Sequence, residues 1–334
     1  MTAQTAIDIG RPSGGSLLSR ERTVAGPRFN RWFVPPAALA IHLCIGMAYG
    51  FSVFWLPMTR LIPNADAKAC AAQGFAQELV TTTCNWSVPT VTHIFEIFIA
   101  VLGISAAIWG GWLEHAGPRK AGIISALCWG GGLALLGFAV SIHQLWLVYL
   151  IAVFCGIGQG LGYITPVSTL IKWFPDRRGM ATGFAILGYG GGAMIGAPLA
   201  VWLMEKFTHD GVPGVTPALI IMGVIYFIYM SAGAMGFRVA PNGWHLAGWT
   251  PPAADAARTM ITQNNVHLNT SWKTPQFWLI WGVLCLNVTA GIAVISMASP
   301  MFQDVFGAKL LGVDATGTLT PVQRSAIVAA AAGL

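Results

Sequence analysis

A histidine, several tyrosines and a few amides stand inside stretches of sequence that are otherwise almost wholly apolar. These are the side chains able to do chemistry on a small solute. His42 and Tyr49 lie seven residues apart, close to two helical turns, so a helix presents both on one face. Gln159 with Tyr163, and Thr182 with Tyr189, share faces in the same way, while Asn287 and Thr289 are expected to interrupt a later apolar run. Hydrocarbon makes such groups costly unless they meet a partner or a cavity, where they can bind an anion or pass a proton. His42 falls about ten residues, or roughly 15 Å, into its stretch, near a bilayer midplane. It is read either as part of a translocation path or as a histidine hydrogen-bonded to another helix. Glu96, the one acidic residue clearly within a stretch, sits close to the end of it, as a proton-coupling group or as an interfacial or paired carboxylate.

Other chemistries have little to stand on. No C-x-x-C, H-E-x-x-H or paired-histidine pattern suggests a metal, and no G-x-S-x-G elbow suggests a hydrolase. Gly188-Tyr189-Gly190 followed by Ala193 has a dinucleotide-loop look, but such a loop must follow a strand and open a soluble helix. Neither an enzyme nor a cofactor is expected.

The elements that must position these residues follow from composition. The chain has 334 residues, of which 55% are hydrophobic and only 9% charged. Its mean hydropathy is +0.65. Soluble domains carry about 25% charge, so this is read as an integral membrane protein. A net charge of +6 would suit a nucleic-acid partner if the basic residues formed one solvated stripe. They fall instead in short clusters between apolar stretches, the pattern of loops held on the cytoplasmic side of a bilayer, and no nucleic acid is expected.

A helix crosses the hydrocarbon core with about 20 apolar residues. Seven complete stretches qualify: Trp32 to Pro57, His93 to Leu113, Ala121 to Val140, Leu145 to Leu170, Met180 to Leu203, Pro217 to Phe237 and Gln276 to Met301. An eighth begins near Ala326 and meets the end of the sequence at Leu334, which suggests a fragment or a truncation. Continuous apolar character without alternation favours helices over barrel strands, giving an all-α polytopic fold. Thirteen Lys and Arg fall on one side of these spans and five on the other, placing the N-terminus in the cytoplasm of a cell bounded by this membrane. Residues 1–31 then form a cytoplasmic arm, expected to be mobile, 32–237 a six-helix half, 238–275 a cytoplasmic linker, and 276–334 an incomplete second half.

Cys70 and Cys84 share the long loop after the first span, either bonded or as two free thiols. Cys44, Cys128, Cys155 and Cys285 read as small packing residues. Asn85-Trp86-Ser87 matches a glycosylation sequon, which carries weight only in a secretory eukaryotic context. Glycines repeating at four residues (Gly156 with Gly160, Gly158 with Gly162, Gly188 with Gly192 and Gly196) line helix faces suited to close contact.

Three motifs carry a family resemblance. Gly110-Gly111-Trp112-Leu113-Glu114-His115-Ala116-Gly117-Pro118-Arg119-Lys120 resembles the loop signature of the major facilitator superfamily, with Glu114 where Asp is usual and His115 where Arg or Lys is usual. Lys172-Trp173-Phe174-Pro175-Asp176-Arg177-Arg178-Gly179, running on through Gly188–Gly192 to Pro198, is similar to the oxalate/formate antiporter branch. So is Thr274–Trp278 followed by Leu286–Gly291, and the likeness runs from about Arg31 to the end.

The resemblance implies a secondary carrier of small carboxylates, with a central cavity lined by aromatic residues of the first, fourth and fifth helices. Tyr49, Tyr163 and Tyr189 occupy those positions, as cavity walls or as packing tyrosines. His42 and Asn287 join them as candidate binding residues, and Gly110, Glu114, Gly117 and Arg119 form the conformational loop. The expected partners are a small organic anion, the lipid bilayer and, in a symport version, protons. Family members place a substrate-neutralising Arg in the eighth helix, and Arg324 stands too early to fill that role. A different reading is a truncated membrane fragment that transports nothing.

Overall fold

The computed structural model describes residues 16–63, 65–66, 70, 73–241, 243–246, 248 and 266–310. The first part of the arm, the middle of the linker, Arg324 and the start of an eighth span near Ala326 lie outside them. Seven helical stretches among the described residues are long and apolar enough to cross a membrane.

The first crossing is made of two kinds of helix. The Asn30 side chain accepts from the Trp32 N–H at 3.0 Å and opens the turn Arg31–Phe33. Pro35 and Pro36 then occupy the first turn of α1 (Val34–Ile45), where a missing N–H costs nothing. At Gly46 the chain tightens into nine residues of 3₁₀-helix, Gly46–Phe54, before a short α-turn, Trp55–Met58. Runs of 3₁₀-helix longer than about four residues are uncommon and mark strain or a functional hinge.

The second crossing is α2 (Val88–Ala116), stopped by Gly117 at φ +85°, a backbone conformation in which a side chain is strained. Pro118 restarts the chain at once as α3 (Pro118–Ala126), followed by a single π-turn, Leu127–Gly131, and α4 (Gly132–Ser141). Then come α5 (Leu145–Trp173) with Pro166 inside it, α6 (Arg178–Lys206) with Pro198 inside it, and α7 (Val215–Gly236). The last crossing, α8 (Pro275–Ser296), is followed by α9 (Ala298–Leu310).

All seven expected spans are present, most of them running a few residues further than apolar character alone marks. The last differs: it ends at Ser296 rather than Met301, because Met297 leaves the helical region at φ −119°, ψ 14°. Asn287 and Thr289 do not interrupt it. The Thr289 hydroxyl donates to the Cys285 carbonyl one turn back, at 2.7 Å, and so satisfies itself within a continuous α8.

The first crossing is the hub, with α5, α6 and α7 against α1, and α6 again against the 3₁₀ segment. The glycine stripes make these approaches possible. A Cβ at Gly160 would lie 1.8 Å from Ser105 Oγ on α2, and one at Gly158 would lie 2.5 Å from the Trp129 backbone N in the π-turn. With no hydrophobic drive between helices in lipid, such backbone-to-backbone packing is what holds them together. By contrast α8 has no buried residue, and Cys285 is exposed on it; Cys44, Cys128 and Cys155 are buried as expected.

The arm from residue 16 onward is not free of the bundle. Val24 pairs with Val239 as an isolated parallel bridge, with Ala25 N donating to Val239 O at 2.9 Å and Val239 N to Thr23 O at 2.8 Å. This segment is therefore tied to the chain leaving α7 by paired backbone groups.

Candidate functional site

Three tyrosines and one histidine from α1, the 3₁₀ segment, α5 and α6 converge at mid-depth in the bundle. The Tyr189 ring stands edge-on to Tyr49 at 4.8 Å, to Tyr163 at 5.3 Å and to His42 at 6.4 Å between centroids. His42 also meets Tyr163, at 5.7 Å. Edge-on pairs set the positive rim of one ring against the negative face of the next, which fixes all four rings relative to one another.

The backbone explains why they can meet. A Cβ at Gly46 would lie 1.9 Å from the Tyr189 carbonyl oxygen, and one at Gly192 2.4 Å from the Leu43 carbonyl, so no larger residue fits at either. That contact draws the 3₁₀ segment onto α6 and brings Tyr49 to the Tyr189 edge. At the change of helix type the Trp129 indole N–H donates to the Cys44 carbonyl at 2.9 Å. On α5, Pro166 has no N–H to return to Gly162, and in the same turn the Tyr163 carbonyl is met by His42 Nε2 at 3.2 Å. A carbonyl only accepts, so His42 carries its proton on Nε2. His42 is thus hydrogen-bonded to another helix and a wall of the cluster at once.

The hydroxyls differ in their state. Tyr189 is buried and donates to Gln159 Oε1 at 3.1 Å. Tyr49 is half-buried and Tyr163 exposed, and neither hydroxyl is hydrogen-bonded among the described residues. A cavity of about 250 Å³ opens beside Tyr49 between the 3₁₀ segment, α6 and the α8–α9 junction, with Ser52, Met194 and Ser299 among its walls. None of the residues lining it is charged. Its chemistry is that of apolar ring faces and small hydroxyls, which can hold a short anion by donation but supply no counter-charge.

One end of the cavity is tied shut. Trp55 Nε1 donates to the Ser296 carbonyl at 2.7 Å, Ser299 N to Ser52 Oγ at 3.3 Å, and Thr92 Oγ1 approaches Met297 Sδ at 3.7 Å. Ser52, Trp55 and Ser299 were not singled out by sequence. Polar groups in an apolar run are the available signal, but their partners lie more than two hundred residues away. Asn287 and Thr182 stay outside the cluster: Asn287 is exposed on α8, and the Thr182 hydroxyl bonds back to Arg178.

The residues of the loop that resembles the superfamily signature lie at the other end, which also holds the arm. Glu114 is paired with Lys172 and accepts from Ser168 Oγ at 3.0 Å. Arg119 is buried and reaches no carboxylate among the described residues: it donates to the carbonyls of Leu17, Met235 and Phe237 at 2.9, 3.2 and 3.4 Å. Gly117 lies against Arg20 of the arm, whereas a Cβ at Gly110 would meet nothing within 4 Å. Glu96 is paired with His93 at 2.7 Å on the exposed face of α2, so it is a paired carboxylate.

At the cavity's closed end Cys70 and Cys84 form a disulfide. Asn85 is locked by two hydrogen bonds to the Ile62 backbone, at 2.8 and 2.9 Å, and its amide nitrogen is one of the donors. The sequon is structural. His143 stacks on Trp86 at 4.1 Å and bonds the Cys84 carbonyl through Nε2 at 2.8 Å.

A sequence-family profile described as the Major Facilitator Superfamily matches residues 69–334. Over 279 residues, 81% of this chain and 55% of the relative, the sequence is 26% identical to the oxalate:formate antiporter of Oxalobacter formigenes. It is 25% identical over 220 residues, 65% of this chain and 50% of the relative, to the uncharacterized MFS-type transporter YhjX of Escherichia coli K12. A shorter similarity, 30% over 149 residues, 43% of this chain and 32% of the relative, is to monocarboxylate transporter 13 of Rattus norvegicus. The chain spans about half the length of the first two relatives.

Proposed function

This chain belongs to the Major Facilitator Superfamily, and from that premise we propose that it is a secondary carrier of small carboxylates such as oxalate, formate or lactate-like acids. Residues 32–237 act as one six-helix half, 238–275 as the linker and 276–334 as the opening of the second half. The arm end faces the cytoplasm of the cell, where most of the Lys and Arg residues collect. Substrate sits near the midplane, and alternating exposure of the site to each side moves it.

The observation that carries this reading is the convergence of Tyr49, Tyr163 and Tyr189 with their rings locked edge to edge and two hydroxyls left to donate. Ring walls exclude bulky solutes, and two donors match the two oxygens of a carboxylate. The names of two relatives, an oxalate:formate antiporter and a monocarboxylate transporter, support the same substrate class. The closure through Trp55–Ser296 and Ser52–Ser299 supports a cycle in which that end opens and shuts.

The test is uptake of labelled oxalate, formate and lactate by liposomes holding the protein expressed from its complete reading frame. Uptake is expected to fall at least about ten-fold in Tyr163→Ala and Tyr189→Ala, in line with loss of a donor and a ring wall. Internal unlabelled carboxylate accelerates uptake in an antiporter, and an inward proton gradient accelerates it in a symporter. Unchanged uptake in both variants rejects the tyrosine site.

A further inference from the structure

We propose that Gln159 is a positioning residue that sets whether Tyr189 can donate to a bound carboxylate, by turning its terminal amide through half a turn. The inference rests on the carboxylate-carrier reading and concerns the one tyrosine of the cluster whose hydroxyl is occupied.

The geometry gives Tyr189 one proton to donate, and that proton goes to Gln159 Oε1 at 3.1 Å. In this arrangement the Tyr189 oxygen has only lone pairs left to offer a ligand. It can receive a hydrogen bond from a protonated acid and can give none to a carboxylate. At the same time Gln159 is fully buried and its Nε2, with two N–H donors, has no partner. A buried amide with one end bonded and the other orphaned is a poorly satisfied group.

Half a turn about the last torsion of Gln159 exchanges its oxygen and nitrogen with almost no change of shape. Nε2 then donates to the Tyr189 oxygen across the same gap, the orphaned donor gains a partner, and the Tyr189 proton is released from Gln159. The former acceptor, Oε1, becomes the unsatisfied atom instead. The turned form leaves Oε1 and, until a ligand accepts it, the Tyr189 proton unpaired, so it is the minor form of the empty site and a ligand that accepts that proton selects it. A carboxylate selects the turned form, in which Tyr49, Tyr163 and Tyr189 all have hydroxyl protons to give. A neutral acid selects the form described above. Gln159 thereby makes the site sensitive to the charge of its cargo without placing a charge in the bundle.

If only a fraction of molecules holds the donor orientation, apparent affinity for a carboxylate is reduced by that fraction. Gln159→Met keeps a long unbranched side chain and removes the strong acceptor that captures the Tyr189 proton. Gln159→Leu does the same with a different shape. In liposomes holding the protein from its complete reading frame, labelled oxalate and formate uptake should show KM lowered about two- to ten-fold in both variants, with Vmax little changed. In a Tyr189→Phe background, which has no proton to release, the same substitutions should leave KM within about two-fold. Infrared difference spectra supply a readout that folding defects do not mimic. Adding oxalate should move the ¹³C-labelled glutamine amide carbonyl band to higher frequency in the wild type, as Oε1 loses its donor, and the shift should be absent from Gln159→Met.

A KM that rises in both variants, or that changes equally with and without the Tyr189 hydroxyl, overturns the switch and leaves Gln159 a packing residue. So does an amide band that oxalate does not move. If the wild-type protein takes up no carboxylate at all, the carrier reading itself fails, and the outcomes are thereby distinguished.

Discussion

Arg31 and Asp176 are joined by two hydrogen bonds, of 2.6 and 3.0 Å, across 145 residues of sequence. The pair ties the start of the first crossing to the turn between α5 and α6, and Arg31 also donates to the Trp173 carbonyl at 3.1 Å and lies over the Phe174 ring at 4.6 Å. Both side chains are mostly buried, with 15% and 12% of their surface exposed. Asp176→Ala leaves that guanidinium without its anion and is expected to cost about 2 kcal/mol, between the values for exposed and for buried pairs. Arg31→Lys keeps the charge but loses the planar fork and the ring contact, for a smaller loss of about 1 kcal/mol. Unfolding in detergent micelles orders the two variants. Equal stability of wild type and Asp176→Ala would show that the clamp holds nothing.

The Glu114–Lys172 pair joins α2 to the end of α5 nearby, yet about half of each side chain is exposed, at 48% and 52%. Its worth to folding is correspondingly small. Glu114→Gln is expected to change stability by less than about 1 kcal/mol, even though Glu114 belongs to the loop resembling the superfamily signature. Any large effect on uptake in a protein of unchanged stability then reflects a shift between transport states. A loss well beyond that in the micelle assay would instead make the pair structural.

Gly46 shows where sequence stops being informative. Apolar run length marked all seven crossings, because hydrocarbon selects on composition alone and the backbone then has to be helical. The same run could not disclose that TM residues Gly46–Phe54 tighten into 3₁₀-helix, since that depends on α6 pressing its Tyr189 carbonyl onto Gly46. Helical spacing grouped Gln159 with Tyr163 on one face, and the structure adds a bond from Tyr189 to Gln159 across two helices, which spacing within one helix cannot contain. His42, Tyr49, Tyr163 and Tyr189 were legible singly, as polar rings in apolar stretches. Asn287 carried the same signal and sits on an exposed helix, so polarity flags a residue without saying where it points.

The close approach at Gly46 makes a sharp prediction. An alanine there would set its methyl 1.9 Å from the Tyr189 carbonyl oxygen, so the 3₁₀ segment must move off α6 and carry Tyr49 away from the Tyr189 edge. Gly46→Ala is expected to destabilise by about 2 kcal/mol, within the range for overpacking, and to abolish carboxylate uptake. Gly190→Ala is the matched control: it adds the same methyl one residue along from Tyr189, meets nothing within 4 Å, and should stay within about 0.5 kcal/mol of wild type. If both variants behave alike, contact at Gly46 is not what positions the tyrosine.

His143, between the third and fourth crossings, gives the disulfide end a pH dependence. Burial lowers its pKa below 6.5, opposed by the hydrogen bond to the Cys84 carbonyl. The neutral ring is therefore the form the fold favours, and the unfolded loop binds the proton more readily. By linkage, the contribution of this stack is complete above the unfolded value of about 6.5 and is lost as pH falls through and below it. Lowering the pH from 7.5 to 5 should lower the amide protection factors, corrected for the intrinsic rate, in residues 75–87, which the Trp86 stack and the Cys84 carbonyl hold in place. His143→Phe keeps a ring on Trp86 without a titrating group, so exchange there should lose its pH dependence beyond the intrinsic chemical rate. The Cys70–Cys84 bond closes a short loop in the same cap, and Cys70→Ser with Cys84→Ser is expected to cost about 3 kcal/mol by loss of that constraint. The two effects are separable, since removing the bond lowers protection at every pH whereas protonating His143 lowers it only on the acid side. Protection factors that stay constant from pH 7.5 to 5 in the wild-type protein would mean that the ring does not titrate against the fold.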